Sequence, residues 1–443
     1  MGKKIVAFFL CLCLLGSLAA CDQQKTEGKE APAQTPEAPV EKPKNTLGLQ
    51  QDNPQNDALF NYGLACVKVG DKWGFINEKG EMVIEPQFDR QGKFYQGVFA
   101  VNQDGKYGFI DTTGQWVLEP MEGGATYFTE GYCVIRLFEK DAQGEIVSAR
   151  MALLDDNGEI CMELPEGAQC WPVRDGMLPV RTQDSLALYT PQGEIVFEEM
   201  GACLFEGDEA TYEVFYDGLM TVEKDGKWGA INTKGEWVIQ PQFDKMGWFE
   251  NGVCKATVGD YYGYVDTTGA WVTEPQFIEN YDDFSEGLVG AETDTQAGYI
   301  DNQGNWKIVL PKYEWVILGE FNQGVAAVGS DQGYGIMGKD GQWVLEPSYH
   351  YIGWFRCGVA PVETVWQSHG FINAEGQLIT ATDYRASEPF YDDGYGVAMR
   401  QDGKWVILDT EGNVAIDGAF DGVGNYETYW NDNGKPSVSA VAR

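Results

Sequence analysis

An internal repeat dominates this sequence, and it restricts a chain of 443 residues to an array of small, similar units. The repeated stretch is Asp71–Asp89, which reads D-K-W-G-F-I-N-E-K-G-E-M-V-I-E-P-Q-F-D. Close copies return along the chain at Gly105–Pro120, Gly226–Asp244, Asp260–Phe277 and Gly333–Tyr349. Each unit of such an array contacts mainly its neighbours, so the repeat predicts one extended body instead of several separate domains.

A second marker, an aromatic residue three positions before a glycine, counts the units. It occurs at Phe60–Gly63, Phe94–Gly97, Phe128–Gly131, Phe215–Gly218, Phe249–Gly252, Phe284–Gly287, Phe321–Gly324 and Phe355–Gly358. Gly176 and Gly394 stand for two units with shifted markers, which gives ten units. Successive marker glycines are 34 to 37 residues apart, except for intervals of 45 and 42 residues after Gly131 and Gly176. Units three and four, about residues 125–213, are therefore the degenerate part of the array.

Each unit reads as three short strands joined by tight turns. In unit two, an apolar strand begins at Gly97, an aromatic-Gly-aromatic strand contains Tyr107 and Gly108, and a turn of the form Asp/Asn-x-x-Gly begins at Asp111. The third strand is of the Trp-Val-Leu-Glu type, and we expect the prolines that follow to stop it, namely Pro120, Pro241 and Pro347. No segment has a convincing helical apolar period.

The predicted fold is all-β, with about ten tandem three-stranded antiparallel units in a curved propeller-like or open superhelical array. The segment Gly434–Val441 resembles one more first strand beyond the last unit. It could cap the open end of the array or pair with the first unit and close a ring, and either arrangement would protect a sheet edge.

The aromatic-Gly pairs resemble the WG-repeat family of bacterial proteins, also known through KWG repeats. The resemblance covers about Leu59 to Asp421 and rests on the pairs Trp73-Gly74, Tyr107-Gly108, Trp228-Gly229, Tyr262-Gly263 and Tyr334-Gly335, together with the Val-Ile-Glu-Pro-Gln-Phe type of ending. It implies an exported or surface β-repeat scaffold that binds partners. Units three, four, nine and ten lack the aromatic-Gly pair or alter it, so we expect recognition where the copies disagree, above all in units three, four and nine.

The recurring residues have structural interpretations that compete with functional ones. We expect each repeat glycine to receive a large side chain from a neighbouring strand or unit, because glycine inside a strand is otherwise unfavourable. A row of tryptophans follows the turn glycines and could stack sugars or form an aromatic ladder between units, which is the favoured interpretation: Trp116, Trp237, Trp271, Trp306 and Trp343. The turn acids Asp111, Asp266, Asp301 and Asp409 are expected to open turns, with metal binding as the alternative, and Glu85, Glu119, Glu274 and Glu346 to be solvated.

The ionisable residues and cysteines give little support for catalysis. The formal charge of −37 makes nucleic acid an unlikely partner and indicates a solvated surface, with cation binding as the alternative. No metal, cofactor or catalytic motif occurs around the only two histidines, His350 and His369, and His369 is expected to pack. Seven cysteines follow Cys21. Cys66, Cys133 and Cys254 are expected to be buried, and a disulfide between Cys161 and Cys170 could form near Cys203.

The N-terminus predicts export. Residues 1–20 form a basic and then apolar signal segment that ends in Leu18-Ala19-Ala20-Cys21, which resembles a bacterial lipobox. The resemblance implies cleavage before Cys21 and acylation of its thiol, while an ordinary secretory peptide is the alternative. Residues 21–57 carry Pro32, Pro36, Pro39 and Pro43 and are predicted to be a disordered tether, followed by the repeat array at residues 58–443.

The sequence thus predicts a lipid-anchored, extracytoplasmic scaffold on the outer face of the bacterial cytoplasmic membrane. It would bind protein or cell-envelope ligands without catalysis or a cofactor, and its acyl chains would anchor the protein in the membrane. Two alternatives remain at this point: a carbohydrate- or peptidoglycan-binding module that uses exposed tryptophans, and an enzyme with a site in the irregular region 133–213. Ring closure, oligomeric state and the type of cell envelope are left open by the sequence.

Overall fold

The structure, a computed structural model, describes residues 47, 49, 58–90, 92, 94–103, 106–202, 215–278, 284–311, 313–365, 368–430 and 436–440. These residues belong to one compact unit, Lys44–Arg443. The predicted signal segment, Cys21 and nearly all of the predicted tether lie outside the described residues. Within the described ranges the regular structure consists of strands, and no helix has the length and apolar character needed to cross a bilayer.

The strands are numbered in chain order. The first four repeat units contain β1 (Leu64–Val69), β2 (Lys72–Asn77), β3 (Met82–Phe88), β4 (Val98–Gln103), β5 (Lys106–Asp111), β6 (Trp116–Thr129), β7 (Tyr132–Lys140), β8 (Ile146–Leu154), β9 (Ile160–Glu163), β10 (Gln169–Cys170), β11 (Leu178–Arg181), β12 (Ser185–Tyr189) and β13 (Ile195–Met200). The next four contain β14 (Leu219–Lys224), β15 (Lys227–Asn232), β16 (Trp237–Phe243), β17 (Lys245–Glu250), β18 (Val253–Val258), β19 (Tyr261–Asp266), β20 (Trp271–Phe277), β21 (Leu288–Thr293), β22 (Gln296–Asp301), β23 (Trp306–Val309), β24 (Val316–Leu318), β25 (Val325–Ser330), β26 (Gly333–Gly338) and β27 (Trp343–Tyr349). The rest of the chain contains β28 (Tyr351–Ile352), β29 (Val359–Val365), β30 (Ser368–Asn373), β31 (Ala386–Ser387), β32 (Gly396–Met399), β33 (Trp405–Leu408), β34 (Val414–Phe420), β35 (Gly422–Val423), β36 (Tyr426–Trp430) and β37 (Pro436–Ala440).

These strands confirm an all-β fold of tandem antiparallel units, but they do not form ten separate three-stranded sheets. The described strands make nine sheets of three to six strands in a propeller-like array. Their orders are β3-β2-β1-β35-β36-β37, β4-β5-β6-β7-β8-β9, β10-β11-β12-β13, β14-β15-β16, β17-β18-β19-β20, β21-β22-β23, β24-β25-β26-β27, β28-β29-β30 and β31-β32-β33-β34. The prediction was wrong on this point because units two and three share the long strand β6, which pairs with β5 at its start and with β7 at its end.

Several sheets gain a fourth strand from the segment that leads into the marker aromatic. In unit six, β17 pairs with β18 through Met246 and Ala256, and in unit eight β24 pairs with β25 in the same way. These segments are short and irregular, with a register shift between Met246 and Phe249. Their backbone groups nevertheless pair with the strand of the next hairpin, because unpaired backbone groups are costly when they are buried.

The array closes on itself. Val423 of β35 pairs with Val67 of β1, and the amide of Gly424 donates to the carbonyl of Cys66 at 2.9 Å. The end of the chain thereby occupies, beside the first unit, the position that β17 occupies beside β18. The segment predicted to be a late strand is β37, which joins the first sheet through β36 instead of pairing directly with β1. Closure removes the sheet edge that an open array would leave at β1.

The hydrophobic core is divided into layers that lie between successive units. One layer joins Phe75 of unit one to Phe94 and Phe99 of unit two, with ring centroids 4.9 and 5.1 Å from that of Phe75. Another layer closes the ring, since Val67 and Val423 share a buried cluster with Trp405 of unit ten. Burying each large apolar side chain contributes about 1.5–3 kcal/mol, so the layers hold neighbouring units together around the whole array.

Candidate functional site

The repeat glycines are required by a bulge in the neighbouring strand. Trp73 of β2 pairs with Phe88 of β3, while Phe75, two residues on, pairs with Ile84. Three residues of β3 therefore lie opposite Gly74 alone, and a Cβ on Gly74 would sit 2.5 Å from the Ile84 carbonyl oxygen and 2.7 Å from the Pro86 nitrogen. The space beside Gly74 is therefore filled by backbone atoms of β3 and not by the large side chain that was predicted. Glycine accommodates this close backbone at a bulge.

The other repeat glycines share this environment. At each of them a Cβ would collide with the carbonyl oxygen of the paired outer strand, namely at Gly108, Gly229, Gly263 and Gly335. A large side chain is also present in two cases, since the rings of Trp116 and Trp343 would lie 2.7 and 2.8 Å from a Cβ on Gly108 and Gly335. The aromatic partners of these glycines (Trp73, Tyr107, Trp228, Tyr262 and Tyr334) are buried or half-buried, so the signature pairs support the sheets.

The repeat prolines do not stop the strands, which corrects the prediction. Pro120, Pro241 and Pro347 lie inside β6, β16 and β27. Each proline lies two positions after the residue whose carbonyl oxygen approaches the repeat glycine. At a bulge the missing N–H of proline removes no ladder hydrogen bond, so the strand continues past it.

The turn acids open turns, as predicted. The Asp266 carboxylate accepts hydrogen bonds from the amides of Thr268 at 2.8 Å and Ala270 at 3.1 Å, and also from the Thr268 hydroxyl. The hydrogen bond from that hydroxyl holds the pKa of Asp266 below its ordinary value. The same amide contacts recur at Asp111, Asp301 and Asp409. Glu85, Glu119, Glu274 and Glu346 are exposed, as predicted.

The tryptophan row lies between units. Trp116, Trp237, Trp271, Trp306 and Trp343 are all half-buried. Trp271 of unit six packs edge-on against Phe243 of unit five, with ring centroids 5.2 Å apart, and Trp306 packs against Phe277 in the next layer at 6.2 Å. This geometry supports the aromatic ladder, while sugar stacking on the row stays a prediction.

The marker glycines form a ring of hairpin turns, which we call the turn ring. In each of nine markers the glycine and the residue before it both have a positive φ, as in Glu130 (50°) and Gly131 (83°). Two such residues make the turn type that suits a tight β-hairpin. The turns are also linked to each other, since the Glu130 carboxylate accepts from the amides of Asp175 and Gly176 at 2.8 and 2.9 Å.

These links between turns recur around the array. The amides of Gly131, Gly252 and Gly324 donate to side chains of the preceding turns, namely Gln96, Asp217 and Glu286. The last turn reaches the first, because the amide of Phe60 donates to the Asp393 carboxylate at 2.8 Å. Hydrogen bonds therefore link neighbouring turns at five or more of the junctions between units, and nine of the ten units present a residue pair in such a turn.

Aromatic side chains flank the marker residues on one part of the turn ring. The rings of Tyr95 and Tyr127 stack with centroids 4.3 Å apart, and those of Tyr216 and Trp248 lie 6.0 Å apart. Each pair joins neighbouring units, and Trp248 is 51% exposed. We call Tyr95, Tyr127, Tyr216 and Trp248 the aromatic arc. Burial raises the pKa of Tyr127 to about 12, and Tyr95, Arg174 and Tyr216 all lie within electrostatic reach of its hydroxyl.

Sequence reasoning missed the aromatic arc, although a signal was present. Its members lie immediately before or after a marker phenylalanine, as Tyr95 follows Phe94 and Trp248 precedes Phe249. The marker phenylalanines are buried, so strand alternation turns their immediate neighbours away from that core. The tryptophans after the turn glycines recur at one fixed position in half of the units, whereas an aromatic residue beside a marker phenylalanine precedes it in some units and follows it in others. Such a residue also occurs in unit nine, where Trp354 precedes Phe355.

The irregular units contain a long hairpin and free thiols. Strands β7 and β8 have nine residues each, which accounts for the long interval after Gly131. Cys161 of β9 and Cys170 of β10 are both free, contrary to the disulfide considered above, because the two strands belong to different sheets. Cys203 lies outside the described residues.

The three cysteines expected to be buried are buried, namely Cys66, Cys133 and Cys254. Burial raises the pKa of the Cys66 thiol to about 12, which makes it an unreactive apolar side chain at neutral pH.

Both histidines lie beside one glutamate in unit nine. His350 Nδ1 is 3.2 Å from Glu363 Oε2, and His369 Nε2 is 3.9 Å from Glu363 Oε1. Burial lowers the pKa of His369, so the half-buried ring is held across adjacent strands largely in its neutral form. Among the described residues, no group of three or more histidine, cysteine or acidic side chains is arranged to hold a metal ion.

The sequence pattern of the WG containing repeat matches residues 73–107, 107–137, 228–262, 262–294, 298–331, 334–364 and 370–405. These matches span more than half of the chain, and five of the seven begin at an aromatic-Gly pair that faces the bulge described above. The chain belongs to the WG-repeat family. Units of this WG-repeat protein that the pattern leaves out include unit four, where Leu186, Ala187 and Leu188 replace the aromatic-Gly pair.

Solved structures similar to the WG-repeat protein are distant from it. Kluyveromyces lactis Hsv2 is 12% identical, with 60% of this chain and 94% of that chain covered and a TM-score of 0.30. BamB from Moraxella catarrhalis is 13% identical, with 74% and 96% covered and a TM-score of 0.27. The C-terminal WD40 domain of Sif2 is 12% identical, with 62% and 95% covered and a TM-score of 0.31. No curated protein sequence matches this chain.

Proposed function

We propose that this WG-repeat protein is a non-catalytic scaffold that binds partner proteins, and that acyl chains on Cys21 hold it at the outer face of the cytoplasmic membrane. The turn ring is the observation that carries the proposal. Hydrogen bonds between neighbouring turns restrain several of its turns, and the side-chain pair before the marker glycine differs from unit to unit. A rigid frame with variable positions suits recognition of a partner, since little conformational entropy is lost on binding.

The chemistry of the turn ring favours a protein partner. Tyrosine and tryptophan are the side chains that contribute most often to binding energy at protein interfaces, and the aromatic arc groups four of them. The recurring side chains of the repeat, by contrast, are used for the glycine bulge, the turns and the layers between units. Binding is therefore assigned to positions that differ among units.

Affinity capture from the native cell envelope tests the scaffold function. The purified full-length protein serves as bait, and the same protein unfolded by heat and then cooled serves as a control for non-specific adsorption to an acidic chain. We expect one or a few proteins to be retained only by the folded bait. Retention of glycan fragments without protein would favour the carbohydrate-binding alternative, and equal retention by both baits would contradict a specific scaffold.

A further inference from the structure

The aromatic arc lies in a part of the turn ring that carries excess negative charge. The turns of units two to six contribute four acids and one base at the two positions before the marker glycine: Glu130, Asp175, Asp217, Glu250 and Arg174. Glu130, Asp175 and Asp217 are exposed. The Glu130 and Asp217 carboxylates accept hydrogen bonds from the next turn, but a carboxylate has further lone pairs for a second donor.

Aromatic faces and carboxylates together attract cations. A lysine or arginine side chain placed over the face of a tyrosine or tryptophan gains a cation–π attraction, and it gains more when neighbouring carboxylates replace its water. The protein already contains such a contact, since Lys255 Nζ lies 3.8 Å from the centre of the Tyr262 ring. The net charge of −37 would also steer a basic partner towards this surface over a long range.

We propose that the aromatic arc binds a lysine- and arginine-rich extended segment of a partner protein. The proposal rests on the scaffold function proposed above and specifies its site and the chemistry of its partner. Basic side chains of the segment would lie over Trp248 and the two stacked tyrosines, Tyr95 and Tyr127, while the exposed turn acids pair with their neighbours along the segment.

The positive charge of Arg174 should have opposite effects on the binding of a basic and of an acidic ligand. It lies in unit four, between the two aromatic pairs of the arc in unit order, and within electrostatic reach of Tyr127. A basic segment is repelled by this guanidinium, whereas an acidic segment or an anionic saccharide would pair with it. Arg356 occupies the equivalent position in unit nine, where it lies 3.6 Å from Asp392, and it provides the matched control.

Binding of a fluorescein-labelled octalysine peptide to the purified full-length protein tests the proposal, measured by fluorescence anisotropy at about 0.15 M salt, where long-range attraction is screened. We expect Trp248→Ala to weaken binding about tenfold. Trp315→Ala is the matched control, because Trp315 is 46% exposed and lies outside the arc, and it should change the affinity less than about twofold. Arg174→Gln should tighten binding about twofold to threefold, and Arg356→Gln should leave it unchanged.

Several results would overturn this assignment. They are an equal effect of Trp248→Ala and Trp315→Ala, weaker octalysine binding by Arg174→Gln, or tighter binding of octaglutamate or a neutral hexasaccharide than of octalysine. Melting temperatures of all variants show whether a loss of binding reflects unfolding. If the envelope capture succeeds with Trp248→Ala as well as with the wild type, the scaffold function stands and the placement of its site in the arc fails. If capture fails altogether while octalysine binding follows the expected pattern, the scaffold function fails on its own.

Discussion

At the scale of single residues, the repeat is explained by local backbone needs. Gly74 and its counterparts face a bulge that brings a carbonyl oxygen and a proline nitrogen within about 3 Å of a missing Cβ. The marker glycines also have a local structural role, because they adopt a positive φ in hairpin turns. The turn acids accept hydrogen bonds from backbone amides of the turns that they open. Residues that recur in every unit are thus mainly structural, which leaves the arc residues as candidates for recognition.

Replacing a repeat glycine should destabilise the protein. A Cβ at Gly229 would collide with the Ile239 carbonyl oxygen and lie 2.8 Å from the Pro241 nitrogen. Neither group belongs to a flexible side chain, so we expect Gly229→Ala to cost about 1–3 kcal/mol of unfolding free energy. Urea titration followed by tryptophan fluorescence measures it. Gly247→Ala is the control, because the nearest atom would be 3.9 Å away; equal losses in the two variants would argue against the bulge.

Acid should weaken the turn at Asp266. The hydrogen bond from Thr268 lowers the pKa of Asp266 in the folded protein below its ordinary value of 3.8. The ionised carboxylate therefore stabilises the fold fully above about pH 3.8, and this contribution disappears as the pH falls through the lower folded pKa. Thermal melts between about pH 6 and pH 2 should show a smaller acid-dependent loss for Asp266→Asn than for the wild type. Identical pH profiles would contradict the assigned role.

At the scale of strands and sheets, the sequence predicted the order of strands within a unit but not the pairing of strands between units. The strand, turn, strand order of each unit followed from aromatic and glycine positions, because these set the register locally. The fourth strands, such as β17, and the shared strand β6 could not be predicted, because their pairing depends on neighbouring units instead of a local pattern. Prolines were misread as stops, since a bulge changes which amides need a partner.

Ring closure should depend on β35. Val423 is fully buried in the layer between unit ten and unit one, so Val423→Asp places a carboxylate in an apolar environment. We expect a loss of about 3–5 kcal/mol, the range found for an uncompensated buried charge. Val414→Asp is the matched control, because Val414 is 41% exposed on β34. Differential scanning calorimetry distinguishes the two, and an unchanged melting temperature for Val423→Asp would mean that the array is open.

At the scale of the whole molecule, a closed ring explains how degenerate units are tolerated. Units three and four have lost the aromatic-Gly pair, yet buried apolar residues such as Leu153 and Leu188 keep their layers filled. Each layer needs apolar volume but no particular side chain, so the copies can diverge at exposed positions. The placement of the aromatic arc could not be read from the sequence, because it depends on which units are neighbours in the ring.

Membrane attachment should depend on Cys21 alone. Cys21→Ser removes the thiol that acylation requires, and two or more acyl chains are needed to hold a protein firmly at a bilayer. We expect the wild type in the membrane fraction and Cys21→Ser in the soluble fraction, measured by ultracentrifugation and immunoblotting. Mass spectrometry of the N-terminal peptide provides an independent check. A Cys21→Ser protein that still sediments with the membrane would contradict lipid anchoring.

The most direct test of the central claim, that partners bind at the turn ring, is site-specific photo-crosslinking in cells that produce the full chain. A photoreactive phenylalanine analogue replaces either Tyr216 in the aromatic arc or Val344, which is 45% exposed on the outer strand β27. We expect a protein adduct from position 216 and none from position 344. An adduct from position 344 alone, or none from either position, would contradict it.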